Sequence, residues 1–208
     1  MAIIIDKKEE GLTLVILQRC TWVDLKSAEY INYHDNQWGV PVHDDGLLFE
    51  MLILEGFQAG LSWLTILKKR ENFRKAFDGF DPAAVAAYDT AKKEALMQDA
   101  GIVRNRRKID AAVKNAQVFL EIQEEYGSFD TYLWGFTQGQ TLVNNDDVLP
   151  AKTPLSDAIS ADLKGRGMGF VGSTIIYAFL QAVGVVNDHA LGCFCHPKQS
   201  GQALKVYR

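Results

Sequence analysis

The stretch Leu47-Leu-Phe-Glu-Met-Leu-Ile-Leu54 is apolar at almost every position. A helix that is hydrophobic all round has no face to give to water, so other elements must surround it. A chain of 208 residues with 48% hydrophobic content can build such a core as one domain, or as one domain with a small appendage. The stretch ends in Glu55. Glutamate is rarely buried without a partner, and an ionised carboxylate in low dielectric is costly. Glu55 is therefore expected either to meet a local partner or to be held ready for a ligand. Trp63 follows across a Gly-containing bend. A carboxylate beside a flat aromatic face suits a flat, cationic, amine-bearing ring.

The rest of the chain reads as helix after helix. Residues 1–18 form an N-terminal extension in which Leu12-Thr-Leu-Val-Ile-Leu17 could be a short strand, with no matching partner nearby. Residues 19–208 are expected to form a single helical domain, and the fold class is all-α. Asp44 and Asp45 precede the apolar helix, which is expected to reach about Glu55. Ser62 is the candidate N-cap of a helix through Lys75. Asp81-Pro82 supplies an N-cap and first residue for a short helix to Tyr88. Thr90 is expected to cap a helix ending at Ala100, with Gly101 as its stop. An amphipathic helix is predicted from about Asn105 to Tyr126, stopped by Gly127. Its buried face is Ile109, Ala112, Val113, Ala116, Phe119 and Leu120. Ser128 starts a short helix through Trp134, residues 137–152 read as loop, and Ser156 opens a helix to Lys164. Ser173 or Thr174 opens the last helix, to Val183.

A net charge of −4 argues against nucleic acid as a partner for the surface as a whole, but a binding face needs only local charge. Lys68-Lys-Arg-Glu-Asn-Phe-Arg-Lys75, Arg104-Asn-Arg-Arg-Lys108 and Lys164-Gly-Arg166 are the basic clusters, and each also fits a solvated helix face. Three cysteines do not make a disulfide framework, and the start of the chain does not read as a signal peptide. The longest apolar run, residues 170–186, is broken by Ser173, Thr174, Gln181 and two glycines and is short for a membrane span. A reducing cytoplasm, with no membrane partner, is expected.

Potential metal ligands gather at the two ends of the sequence. Cys20 and His34 lie near the start, and His189, Cys193, Cys195 and His196 near the end. One turn of helix would put His189 and Cys193 on one side. Together the two groups would make a Cys2His2 zinc site stapling the N-terminal region to the C-terminal tail. Spacing leaves the choice between Cys193 and Cys195 open. It also leaves room for unrelated histidines and reduced surface cysteines, or for a three-ligand catalytic zinc and a metallohydrolase. A further segment, Leu96-Met-Gln-Asp-Ala-Gly-Ile-Val-Arg-Asn-Arg-Arg-Lys108, is a helix end, a Gly-containing turn and a basic helix start. It resembles the helix-hairpin-helix module, in which backbone N–H groups at a helix start hold a DNA phosphate. Many helical proteins carry such a turn.

These features coincide in one family. From Cys20 to about Pro197 the chain resembles the 3-methyladenine DNA glycosylase I family. The resemblance rests on Tyr30-Ile-Asn-Tyr-His-Asp-Asn-Gln-Trp-Gly-Val-Pro41, Glu55-Gly-Phe-Gln-Ala-Gly-Leu-Ser-Trp63, Lys68-Lys-Arg-Glu-Asn72, Asp99-Ala-Gly-Ile-Val-Arg104, Phe170-Val-Gly-Ser-Thr174 and Val186-Asn-Asp-His189. It implies a helix-hairpin-helix glycosylase fold acting as a monomer on alkylated double-stranded DNA. The reaction would release free 3-methyladenine and leave an abasic site. It implies one structural zinc held by Cys20, His34, His189 and Cys193, which favours Cys193 over Cys195. Glu55 would accept from the base's amine edge and Trp63 would stack on its ring. Tyr30, Tyr33 and Trp38, with Trp22 as a further member, would complete an aromatic cage. Gly101, Arg104, Arg106 and Lys108 would meet DNA at the hairpin, and Leu61 would wedge the gap left by the flipped base. The family lacks the usual catalytic aspartate after the hairpin. Two departures stand out: the extension before Cys20, and Phe57 in place of a polar residue, expected to alter the pocket rim. A non-catalytic module that binds damaged DNA is the alternative reading of the same body.

Overall fold

Two strands, β1 (Ala2–Lys8) and β2 (Gly11–Leu17), pair antiparallel, with Ile4 opposite Val15. The fold is that of a computed structural model describing residues 2–8, 11–146 and 148–199, with side chains from Leu17 onward. β2 is the strand expected from the sequence, and β1 is the partner that the sequence did not disclose. Its isoleucines run straight into Asp6-Lys-Lys and give no alternation to read.

The body is helical: α1 (Ala28–Asn36), α2 (Asp45–Gln58), α3 (Trp63–Ala76), a 3-10 turn (Asp78–Phe80), α4 (Pro82–Ala86), α5 (Thr90–Gln98), α6 (Arg106–Tyr126) and α7 (Phe129–Gly135). A two-residue strand β3 (Leu142–Val143) precedes α8 (Pro154–Gly165) and α9 (Ser173–Ala182), and pairs in parallel with β4 (Val186–Asn187). The segment read as loop over 137–152 thus contributes a strand, and the all-α expectation holds for the body but not for these two small sheets.

Local chemistry explains most boundaries. Ser27, Asp44, Ser62, Asp81, Asn105 and Ser128 each accept an N–H of the first turn of α1, α2, α3, α4, α6 and α7. Gly127 takes φ 86° and ends α6. Three caps differ from expectation. Asp89, not Thr90, caps α5, since a carboxylate one residue earlier reaches the Lys92 N–H. Thr153 caps α8, with Ser156 returning the bond from inside the helix as a capping box. Gly172 precedes α9. On α6, Val118 is buried where Leu120 was expected and is only half-buried.

Every residue from Leu48 to Phe57 is buried, and α2 packs against α3, α6, α7 and α9. Each fully buried Leu, Ile or Phe contributes about 1.5–3 kcal/mol. The helix runs one turn past Glu55, so that carboxylate lies inside its last turn, not at its end. Phe57 is 1% exposed and packs edge-on against Phe73 and Phe77 at 4.9 and 5.6 Å. It belongs to the core and does not reach the pocket rim, because its position on α2 faces α3.

Candidate ligand pocket and metal centre

A cavity of about 240 Å³ is lined by Trp22, Tyr30, Tyr33, Trp38, Glu55, Gln58, Trp63, Leu149, Ala178 and Gln181. That is below the ~300–1,000 Å³ of drug-sized pockets and is the scale of one heterocycle. All six residues expected at a ligand ring are here together. α1 carries Tyr30 and Tyr33, three apart and so on one face. α2 delivers Glu55, and Ser62 starts α3 so that Trp63 is its first residue. Gly60, at φ 79°, makes the bend between them, and a side chain there would be strained. Trp22 meets Tyr30 at 5.3 Å and Trp38 at 4.9 Å, and Tyr33 meets Trp63 at 5.3 Å.

Four buried side-chain polar atoms lack a hydrogen bond among the described residues, and three of them belong to residues lining this cavity. They are Glu55 Oε2, Trp22 Nε1 and Trp63 Nε1. Trp63 Nε1 approaches the Tyr33 hydroxyl without a well-formed bond. Such atoms are costly unless something else partners them. Glu55 is 3% exposed, and burial pushes its carboxyl up to about 8. Burial, with Glu55 nearby, keeps the Tyr30 and Tyr33 phenols protonated beyond their usual range. Glu50, on the same helix, is the opposite case: it is buried against Arg70 and Arg74. A larger cleft of about 710 Å³ lies beside that ion pair, lined by Gln37, His43, Leu47, Arg70 and Arg74 among others. Its buried charges are partnered, so it makes no comparable demand for a ligand.

Behind the aromatic wall, Cys20, His34, His189 and Cys193 bring one ligand atom each within 4.8 Å of the others, all buried, and could hold a metal ion. Cys20 Sγ is 3.6 Å from His189 Nδ1, and Cys193 Sγ is 3.5 Å from that atom and 3.4 Å from His34 Nε2. The outward ring nitrogens are engaged: His34 Nδ1 lies 2.7 Å from Asp35 Oδ1, and His189 Nε2 lies 3.0 Å from the Trp38 carbonyl oxygen. These partners take the ring protons and turn the unprotonated nitrogens inward, where His34 Nε2 also accepts the Cys20 backbone N–H at 3.3 Å. His189 and Cys193 meet through turns, not through the helical turn their spacing suggested. Cys195 is half-buried and lies outside this quartet, near Asp35.

The hairpin joins α5 to α6. α5 ends at Gln98, not Ala100, and Asp99 makes the turn by accepting the Gly101 N–H at 2.7 Å. Gly101 is needed for space: a Cβ there would stand 2.9 Å from Asp99 Oδ1 and 3.1 Å from the Asn72 Cβ. Lys69 ties α3 to the turn by donating to the Ala100 and Gly101 carbonyls. Arg104 is exposed, and Arg106 pairs with Glu94. Lys108, expected at the DNA face, is instead 6% exposed. Its ammonium donates to the Phe57 and Ala59 carbonyls at 2.7 Å each, which the end of α2 leaves unpaired. Leu61 is exposed on the bend between Gln58 and Trp63. Sequence reasoning missed Gln58, Leu149, Ala178 and Gln181 as pocket residues; Gln181 alone had a visible signal, a polar break in an apolar run.

Comparison with known proteins finds relatives over most of the chain. A model of the methyladenine glycosylase family matches residues 22–196. DNA-3-methyladenine glycosylase 1 of Escherichia coli K12 is 50% identical over 184 residues, covering 87% of this chain and 98% of that protein. A crystal structure of a 3-methyladenine DNA glycosylase I superposes with a TM-score of 0.83 at 51% identity, over 86% of this chain and 100% of the other. A variant 3-methyladenine DNA glycosylase I in complex with 3-methyladenine superposes at 0.79 with 37% identity, over 81% of this chain and 92% of that one.

Proposed function

The chain belongs to the methyladenine glycosylase family, and from that premise we propose that it excises N3-methyladenine from duplex DNA. The observation that carries this reading is the cavity itself, which holds one unpartnered buried carboxylate oxygen and two indole N–H groups inside an aromatic cage. The target base must leave the stack to enter, at a cost of roughly a few kcal/mol. The alkylated base is cationic, which makes it a good leaving group and gives the cage a charge to recognise. A ring face beside such a cation is worth about 0.5–2 kcal/mol, which neutral adenine forgoes. The cationic base favours the ionised form of Glu55, which accepts from the amine edge and offsets the positive charge, while Trp63 stacks on the ring, and Trp22, Tyr30, Tyr33 and Trp38 enclose it. Water completes the hydrolysis, giving free 3-methyladenine and an abasic site.

The Cys2His2 quartet fits zinc. With Zn–S near 2.3 Å and Zn–N near 2.0 Å, a tetrahedron has S···N edges of roughly 3.5 Å. Three of the quartet's four S···N separations are 3.4–3.6 Å, and the fourth is within 4.8 Å. Four protein donors fill a structural site, which speaks against a metallohydrolase. Zinc would cross-link the chain's early and late segments and supply no chemistry to the base. The α5–α6 turn, in the manner of a helix-hairpin-helix, would hold a backbone phosphate with Gly101, Arg104 and Arg106 in reach, and Leu61 would fill the vacated stack. The protein acts as a monomer in the cytoplasm on this reading, with residues 1–18 an extension to a single glycosylase domain at 19–208.

The decisive experiment is release of free base from alkylated duplex DNA under single-turnover conditions, comparing N3- and N7-methylated purines. N3-methyladenine appears free and abasic sites accumulate. Tight binding to alkylated DNA with no base released would make the protein a damage-binding module instead.

A further inference from the structure

Gln181 lines the cavity from α9, one turn after Ala178, which lines it too. Its side-chain Nε2 donates to Asp188 Oδ2 at 2.5 Å. The same carboxylate oxygen accepts from the Tyr177 hydroxyl at 2.5 Å. Asp188 is 2% exposed and Tyr177 is 4% exposed. A carboxylate only accepts, so the amide cannot turn round: its nitrogen has to face Asp188. Gln181 is half-buried, and its Oε1 makes no hydrogen bond among the described residues. That oxygen is the polar atom the side chain has left to offer the cavity. The backbone fixes the position as well, because the Gln181 carbonyl accepts the Gly39 N–H at 2.8 Å, directly beside Trp38.

We propose that Gln181 is a second acceptor for the flipped base and the residue that separates adenine from guanine, with Asp188 and Tyr177 as positioning residues. This rests on the base-excision reading above. Adenine carries an amine donor at the six-position, where guanine carries a carbonyl acceptor. A locked acceptor in the pocket wall gains a bond with the first and opposes lone pair to lone pair with the second. A site that cannot reorient discriminates better than one whose amide is free to flip.

The test measures excision of N3-methyladenine relative to N3-methylguanine from one alkylated duplex, so that partial unfolding of a variant cancels in the ratio. Gln181→Met keeps the shape and removes the acceptor, and should lower the adenine preference by about three- to tenfold. Asp188→Asn leaves Gln181 in place but can donate to it, which frees the amide to turn its nitrogen to the cavity. It should lower the same ratio, by a comparable factor. A purely structural role for Asp188 slows both excisions equally. An unchanged ratio in both variants overturns the proposal, while wild-type protein that frees neither base overturns the base-excision reading instead.

Discussion

Glu50 and Glu55 sit on one helix and are both buried, yet they obey different rules. Glu50 is held by two guanidinium groups, whereas Glu55 has an oxygen with no partner among the described residues and a carboxyl pushed up to about 8. Because folding raises this group's affinity for its proton, its contribution is complete below pH ~4.5, where both states are protonated. It is lost as pH rises towards 8, since the unfolded chain gives up the proton first. Urea unfolding between pH 5 and 9 should therefore show the wild type losing on the order of a few kcal/mol relative to Glu55→Gln. The same substitution should slow single-turnover base release by about 10- to 100-fold, the loss of a bond to a charged group. Glu55 was legible in the sequence because a charge in an apolar run needs a reason. Gln181 interrupts a comparable run and passed as a break in hydropathy, because an amide carries no charge to explain.

At the scale of elements, the end of α2 is closed by α6. Lys108 occupies the two carbonyls that α2 cannot use, and burial lowers the proton affinity of its ammonium from the usual lysine value. Lys108→Ala should cost about 2–3 kcal/mol in chemical denaturation while leaving the salt dependence of DNA binding unchanged. Arg104→Ala should do the reverse, lowering the slope of log K against log salt by about 1 at nearly constant stability. The basic run 104–108 told the sequence reader that charge was present but not which way each residue pointed. Helical spacing held the answer: Lys108 shares a face with Ala112, Asn115 and Phe119, all buried. The caps were easier to read, since a Ser or Asp must lie within reach of first-turn N–H groups. They failed where two candidates were adjacent, as with Asp89 and Thr90, or where the bond was reciprocal, as with Thr153 and Ser156.

Over the whole molecule, the four side chains that could hold a metal ion and the aromatic pocket share a wall. Trp38 stacks on His34, meets His189 edge-on at 4.7 Å, and accepts from His189 through its carbonyl. On the zinc reading, a chelator should lower the thermal unfolding temperature and weaken binding of free 3-methyladenine together, whereas Glu55→Gln weakens binding without lowering that temperature. Cys193→Ala should abolish metal retention in elemental analysis. Residue types at the two ends of the sequence suggested a metal site, but nothing local in them said that the ends would meet across 169 positions, from Cys20 to His189. That closure depends on the packing of everything between. It also has a consequence for synthesis. His34 leaves the ribosome on the order of ten seconds before His189 at ordinary elongation rates, so a nascent chain carries Glu55 and its cage long before the wall behind them exists. The enzyme is born without a finished pocket, and ribosome-bound chains stalled before His189 should not bind the base that completed chains retain.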